Sequence, residues 1–397
     1  MPYFDHAASA PLCPEAFDAM LPYLQNNFGN PSSLHHLGKM AQHGVEVARE
    51  QVAALLGARP AEIVFNSGAT EGNNHALKGV AHRLKNRGHH IVTTTIEHDA
   101  TLHPLQSLEH DGFEVTYVEV ESDGRVLVEK VAAALRADTI LVSVMHANNE
   151  MGTLQPIAEI GALCRARNII FHCDACQTVG HIPVDVRVLE VDLLTCSAHK
   201  FYGAKGAGAL YIRRGVRLKT LVDGGHQQRG RRAGTENVPA IVAMGAAAIK
   251  AINAISNGEE THVVALRDRL IKGVESLQIG AHLNGHRTSR VPGIVNFSFE
   301  GVEGEGLILE LDARGGFCCS TGSACAAGSL DPSPVLLAIG LENGLARAGT
   351  RFSLGRGNTE AEVDALLQLL SRVLDSLRQL SPQTRAQMVG GQTDDAG

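Results

Sequence analysis

What this chain lacks narrows its chemistry first. It has no excess of basic charge: 35 Lys and Arg stand against 42 Asp and Glu, for a formal net charge of −7. A mildly acidic protein is a poor ligand for a nucleic-acid backbone, and the run Arg229-Gly230-Arg231-Arg232 is too short to make a binding groove. No apolar core of signal-peptide length follows the early acid Asp5. The longest apolar runs have the size of strands or amphipathic segments, so no membrane contact is expected and a cytoplasmic setting is the default. Cysteine is sparse: eight residues scattered over 397 do not make a disulfide framework. In a reducing compartment such thiols are free, metal-binding or catalytic. There are no internal repeats.

What is present is an alternating α/β pattern. Strand-like runs recur at Glu62–Asn66, Ile91–Thr95, Phe113–Val120, Thr139–Met145, Ile169–Asp174, Asp192–Cys196 and Ala209–Ile212, with helical stretches such as Glu71–Arg83 and Ile157–Arg167 between most of them. This predicts a mainly parallel seven-stranded sheet covered by helices on both faces. An alanine-rich helix is expected over Val238–Ile255, ending at Ser256-Asn257-Gly258. Beyond it the pattern changes, with strands at Ile294–Phe299 and Arg351–Leu354 and a helix over Glu360–Leu380. Residues 15–255 therefore read as a large domain, and 1–14 with 256–382 as a smaller α+β domain. The composition of 383–397, polar and Gly-rich, predicts a disordered tail.

Three segments carry candidate chemistry. Cys196-Ser197-Ala198-His199-Lys200 places a lysine just past a strand end, where open α/β sheets bind ligands; alone, it also reads as a solvent-facing loop lysine. Upstream, Asp174 ends a buried strand, and a buried carboxylate needs a cation or donors. A pyridinium nitrogen would serve, and a helix N-cap is the plainer alternative. The third segment, Ser67-Gly68-Ala69-Thr70-Glu71, joins a strand to a helix. Its free N–H groups could hold a phosphate, or it could be an ordinary capping turn.

In this order, with further motifs, the segments resemble the fold-type I pyridoxal 5'-phosphate (PLP) transferases, and within them the NifS/IscS-type cysteine desulfurases. The resemblance runs from Asp5 to about Pro382. It rests on Phe28-Gly29-Asn30-Pro31-Ser32-Ser33, Ser67–Glu71, Glu97-His98, Asn148-Asn149-Glu150, Asp174-x-x-Gln177, His199-Lys200, Arg231-x-x-Gly234-Thr235-Glu236-Asn237, Ser323-Ala324-Cys325 and Arg351-Phe352-Ser353-Leu354. The stretch from Gly224 to Asn237 is more similar to the NifS branch. Departures from the family's usual residues are His6–Ala10, Ala198 and Ala204.

The resemblance implies that PLP is attached covalently to Lys200, that Asp174 pairs with its ring nitrogen and that Gln177 bonds its ring hydroxyl. His98 would stack on the ring and move protons. Ala69, Thr70, Ser197 and His199 would hold the phosphate, and Thr235 would reach the phosphate of a neighbouring subunit, making a homodimer. Asn149, beside the cofactor, and Arg351 would bind the carboxylate of L-cysteine; the arginine fork matches both oxygens. Desulfuration to L-alanine would leave a persulfide on Cys325, bound for an iron–sulfur cluster scaffold or another acceptor, with nitrogenase maturation as a narrower use. Two alternatives stay open: another class V enzyme (an aminotransferase or selenocysteine lyase), or a non-catalytic assembly scaffold.

The segment from Phe317 to Ser329 is rich in small residues, as suits a loop on which a thiol can approach and leave a substrate. Cys325 is selected by the resemblance; Cys318 and Cys319 read as buried or incidental. Cys173-x-x-Cys176 has no second pair to complete a four-ligand zinc site, so no metal is expected. Cys13, Cys164 and Cys196 read as structural. Most of the 19 histidines read as surface or supporting groups, His35, His36, His89 and His90 among them.

Overall fold

The computed structural model describes residues 1–322 and 331–380; Ser323-Ala324-Cys325 and the tail 383–397 lie outside the described residues. By contacts the chain divides into two compact units. The larger comprises Ser9–Asn148 and Thr153–Glu260; the smaller comprises Met1–Ala8, Asn149–Gly152 and the chain from Thr261 onward.

In the larger unit the strands are β1 (Ile63–Asn66), β2 (His90–Thr94), β3 (Glu114–Val118), β4 (Thr139–Met145), β5 (Ile170–Asp174), β6 (Leu193–Ser197) and β7 (Gly208–Ile212). The helices are α1 (Pro14–Gln25), α2 (His36–Leu55), α3 (Ala69–Leu84), α4 (Asp99–His110), α5 (Val128–Ala134), α6 (Ile157–Ala166), a short turn α7 (Gln227–Gly230) and α8 (Val238–Ser256). The sheet order is β1-β7-β6-β5-β4-β2-β3. β7 runs antiparallel to β1 and β6, and every other neighbouring pair is parallel. The reversal follows from the short Ser197–Gly208 connection, which holds only a 3-10 turn; a parallel return needs a longer crossover, usually a helix. The C-terminal ends of β1, β2, β4, β5 and β6 therefore share one edge, where open α/β sheets place their ligands. Every residue of the central strand β4 is buried, as its mostly apolar run, interrupted by Ser143, predicts.

Small residues set the helix packing. α8 lies against both α1 and α2. A Cβ on Gly245 would come within 2.7 Å of the Ala48 Cα, and one on Gly44 within 2.4 Å of the Tyr23 hydroxyl. Among the described residues α8 is the one helix long and apolar enough to cross a membrane, and 56% of that stretch is buried inside the protein.

The sheet also holds neutral histidines. His172 lies between the hydroxyls of Ser143 (2.9 Å) and Thr195 (3.0 Å), and His146 meets Thr178 at 3.0 Å. His90, read from sequence as peripheral, is fully buried between Thr139 and Thr116. Its strand neighbours supply hydroxyls that a linear reading does not pair with it. Burial pushes His75, His146 and His172 down to about 4. The unfolded chain takes up protons near pH 6.5 that these folded imidazoles refuse, so stability must fall as pH drops from 6.5 toward 4. The expected loss between pH 7 and pH 5 is roughly 2 kcal/mol per histidine. Urea midpoints at the two pH values would check this, and His172→Gln should flatten the fall; equal midpoints would contradict it.

In the smaller unit, β8 (Ala281–Asn284), β9 (Ile294–Phe299) and β10 (Gly349–Ser353) form an antiparallel sheet in the order β10-β9-β8. Its helices are α9 (Glu259–Ser276), α10 (Gly304–Gly315), α11 (Pro334–Ala338), α12 (Asn343–Arg347) and α13 (Glu360–Leu380). Val363, Leu366, Leu370, Val373 and Leu374 make the apolar stripe of α13, and join Phe4, Val295, Phe297 and Phe352 in this unit's core.

Candidate functional site

The shared strand edge of the larger unit collects most of the expected site residues. Asp174 is the last residue of β5 and is buried. One carboxylate oxygen accepts the Asn73 amide at 2.6 Å and the other the Cys176 N–H at 3.0 Å. The cap alternative is thus partly realised, since Asp174 caps a turn, although no helix follows it. Among the described residues Asp174 forms no ion pair. Lys200 ends the 3-10 turn after β6 and is partly buried, with its carbonyl 2.9 Å from the His181 ring. Gln177 follows Asp174 and is 9% exposed.

The first turn of α3 is not an ordinary Ser/Thr cap. Its N-cap is Gly68, at φ 149°, with no side-chain capping bond. The N–H groups of Ala69 and Thr70 are therefore among those that no helical carbonyl reaches. Ser197 stands close by, since a Cβ on Gly68 would lie 3.7 Å from its Oγ. Glu71 reaches back to the Ser67 N–H at 3.0 Å and pairs with Arg232 at 2.8 and 3.1 Å. Burial pushes Glu71 up, but the Arg232 and Ser67 bonds outweigh it and hold the carboxyl below its usual range.

His98 caps α4: its Nδ1 accepts the Ala100 N–H at 3.0 Å. With Nδ1 accepting, the ring proton of the neutral imidazole sits on Nε2. The neighbouring Glu97 is wholly buried, its Oε1 accepting from the Thr94 hydroxyl at 2.6 Å and the Met145 N–H at 3.0 Å. Burial, with Asp174 nearby, pushes Glu97 up to about 8. His199 contacts Ser9 at 3.3 Å, and burial followed by Lys200 and Lys205 lowers it to about 4, so it is neutral at pH 7. Ala198, one of the departures, is fully buried, and a Cβ on Gly203 would come within 2.9 Å of its own.

Thr235 is exposed on a loop tied down by other residues. Gln228, at a positive φ of 47°, accepts from Phe65 N and Arg49 at 3.0 Å each and donates to Glu236 at 3.2 Å. Together with Arg232 it docks the loop on β1 and α3.

In the smaller unit Arg351 is buried on β10. It pairs with Asp5 at 2.8 Å, and its Nη1 donates to the Asn149 carbonyl at 2.8 Å. Among the described residues its Nε has no hydrogen-bond partner. Asn149 thus meets Arg351 through its backbone. Glu150 accepts from Ser333 at 2.7 Å, and Gly322 lies against the same side chain. Cys325 lies outside the described residues. Asn73, Glu97, Asp5, Gln228 and Arg232 had been assigned no role from sequence. For Asn73 and Asp5 no local signal could have revealed one, because their partners are far along the chain.

These groups fit PLP. A buried carboxylate that pairs with no cation among the described residues suits a ring nitrogen, an open helix start suits a phosphate, and a lysine stands at the same edge. The comparisons point the same way. Residues 2–366 match the family Aminotransferase class-V. The chain is 48% identical to "Cysteine desulfurase IscS" of Methanosarcina thermophila over 382 residues, 96% of this chain and 94% of that one. The solved "NIFS-LIKE PROTEIN" superposes with a TM-score of 0.89 at 38% identity, covering 95% of this chain and all of that one. "SspA in complex with cysteine" superposes at 0.79 with 35% identity, covering 90% of this chain and all of that one. Fold, strand-edge groups and relatives agree: the chain belongs to the class-V aminotransferase family of PLP-dependent enzymes, among the NifS/IscS-type cysteine desulfurases.

Proposed function

We propose that this protein takes sulfur from L-cysteine, releases L-alanine and holds the sulfur as a persulfide on Cys325. The observation that carries the reading is a strand-end carboxylate, a strand-end lysine and an open helix start on one sheet edge, in a chain 48% identical to a named cysteine desulfurase. When bound, PLP supplies an aldehyde that captures the amino group and a protonated ring that draws electrons from the substrate.

The protein's own groups do the rest. Asp174 would pair with the ring nitrogen and Gln177 with the ring hydroxyl. Ala69, Thr70, Ser197 and His199 would hold the phosphate. Lys200 would carry the cofactor and take the α-proton at Nζ. His98 would exchange protons through Nε2 with the substrate thiol. Arg351 and Asn149 receive the substrate carboxylate. The Cys325 thiolate attacks the substrate sulfur, so that an S–S bond forms as the Cβ–S bond breaks. The bonding pair returns to Cβ and takes a proton, which gives the alanine methyl group without an outside oxidant.

The two contact units correspond in this reading to a cofactor domain and a small domain. The enzyme works as a cytoplasmic homodimer, with Thr235 serving the phosphate of the partner subunit. The sulfur passes to an iron–sulfur scaffold; nitrogenase maturation is a narrower reading, supported by the NifS-like stretch from Gly224 to Asn237.

The test supplies L-cysteine with a thiol reductant. Alanine and sulfide are expected in equal amounts, and without reductant one extra sulfur should be found on the Cys325 peptide by mass spectrometry. Keto-acid formation, or alanine without sulfide, would instead mark another class V activity. A colourless protein that PLP cannot reconstitute would mark a scaffold.

A further inference from the structure

We infer that Asn73 is a positioning residue for the strand-end acid, its neutral side-chain amide holding the Asp174 carboxylate in one orientation. The inference rests on the reading of Asp174 as the partner of the cofactor's ring nitrogen. Asn73 lies on α3 and is fully buried, and Asp174 follows 101 positions later at the end of β5. Their 2.6 Å contact is short for an N–H···O bond and charge-assisted. The other amide proton faces Thr101 Oγ1 on α4 at 3.2 Å. One planar group therefore ties α3, α4 and β5 together. The Cys176 N–H holds the second carboxylate oxygen at 3.0 Å. With a fixed donor on each oxygen, rotation about the Asp174 Cβ–Cγ bond is blocked, and the remaining lone pairs point in a set direction.

Two observations separate this from ordinary packing. First, Asn73 Oδ1 is buried and, among the described residues, has no hydrogen-bond partner. Turning the amide over would set two oxygens 2.6 Å apart, so Asp174 dictates which way it faces. A residue kept only to fill space would be an aliphatic one of similar volume, with no carbonyl left unpaired. Second, charge matters at this point. Glu97 is already buried within electrostatic range of Asp174 and is pushed up by that burial. A neutral group at 73 adds no further charge beside Asp174 and Glu97. A carboxyl in its place would make a like-charged pair at hydrogen-bond distance, and such a pair must share a proton.

The test uses the holoenzyme and reads four quantities: PLP affinity of the protein, the pH titration of the bound cofactor's visible absorption, kcat for L-cysteine and KM for L-cysteine. Asn73→Ala is expected to lower kcat by about 10- to 100-fold with KM within about threefold, to weaken PLP binding and to move the titration midpoint. Asn73→Asp keeps the volume should Asn73→Ala not fold, and is expected to add a new ionisation to the titration. If the wild-type protein makes no alanine and yet both variants move the cofactor titration, the inference stands and the desulfurase reading falls. Variants with wild-type kcat, PLP affinity and titration would overturn it, whatever their thermal midpoints, because Asn73 would then be structural only.

Discussion

Lys200→Ala should abolish turnover of L-cysteine, with kcat falling by at least roughly a thousandfold, because one side chain supplies both the covalent hold on the cofactor and the base for the α-proton. The fold should survive. Lys200 is partly buried at the end of a 3-10 turn, and its bond to His181 uses the backbone carbonyl, which alanine retains. The neighbouring Ala198 and the Gly203 packed on it are untouched. The visible absorption of the purified protein should vanish, while PLP added in excess should still bind through Asp174 and the α3 start. Far-ultraviolet dichroism, absorption and alanine release together separate loss of chemistry from loss of structure. Turnover within tenfold of wild type would remove Lys200 from the mechanism.

Cys325→Ser should leave the cofactor's colour in place and stop sulfide release, by about a hundredfold or more, since a hydroxyl does not replace a thiolate as sulfur acceptor. The other seven cysteines offer no substitute. Burial pushes Cys164, Cys196 and Cys319 up to about 12 and raises Cys173 and Cys176 well above the usual thiol range. Cys13 and Cys318 are raised as well, again first by burial. A thiol at 12 is ionised at pH 8 to about one part in ten thousand. Cys318→Ser and Cys319→Ser should therefore stay within about threefold of wild type. Sulfide release that survives Cys325→Ser and disappears in Cys319→Ser would move the nucleophile to the neighbouring position.

Legible in the sequence alone are the alternation of elements, the buried inner strands such as β4 (though not the exposure of the edge strand β3), the C-terminal helix over Glu360–Leu380 and the family. Each is a local property, or an ordered set of local properties. A strand covered on both faces reads as a mostly apolar run, an amphipathic helix as a stripe, and a motif is read where it stands. Only the tertiary structure decided the partners. Asp174 could be recognised as a buried acid at a strand end, but its Asn73 donor lies 101 positions away. Arg351 could be recognised as a carboxylate fork, but Asp5, 346 positions away, occupies part of it. Gln228 stands in the sequence within the Gly224–Asn237 stretch without a role of its own, and in the fold it is the acceptor that seats the loop on Phe65 and Arg49. His90 looked peripheral because the hydroxyls that satisfy it belong to two other strands. Periodicity reports which side of an element is dry. It does not report which distant polar group meets a buried one, because crossovers and sheet order set that distance, while a low-dielectric interior puts a cost on every polar group left unmet.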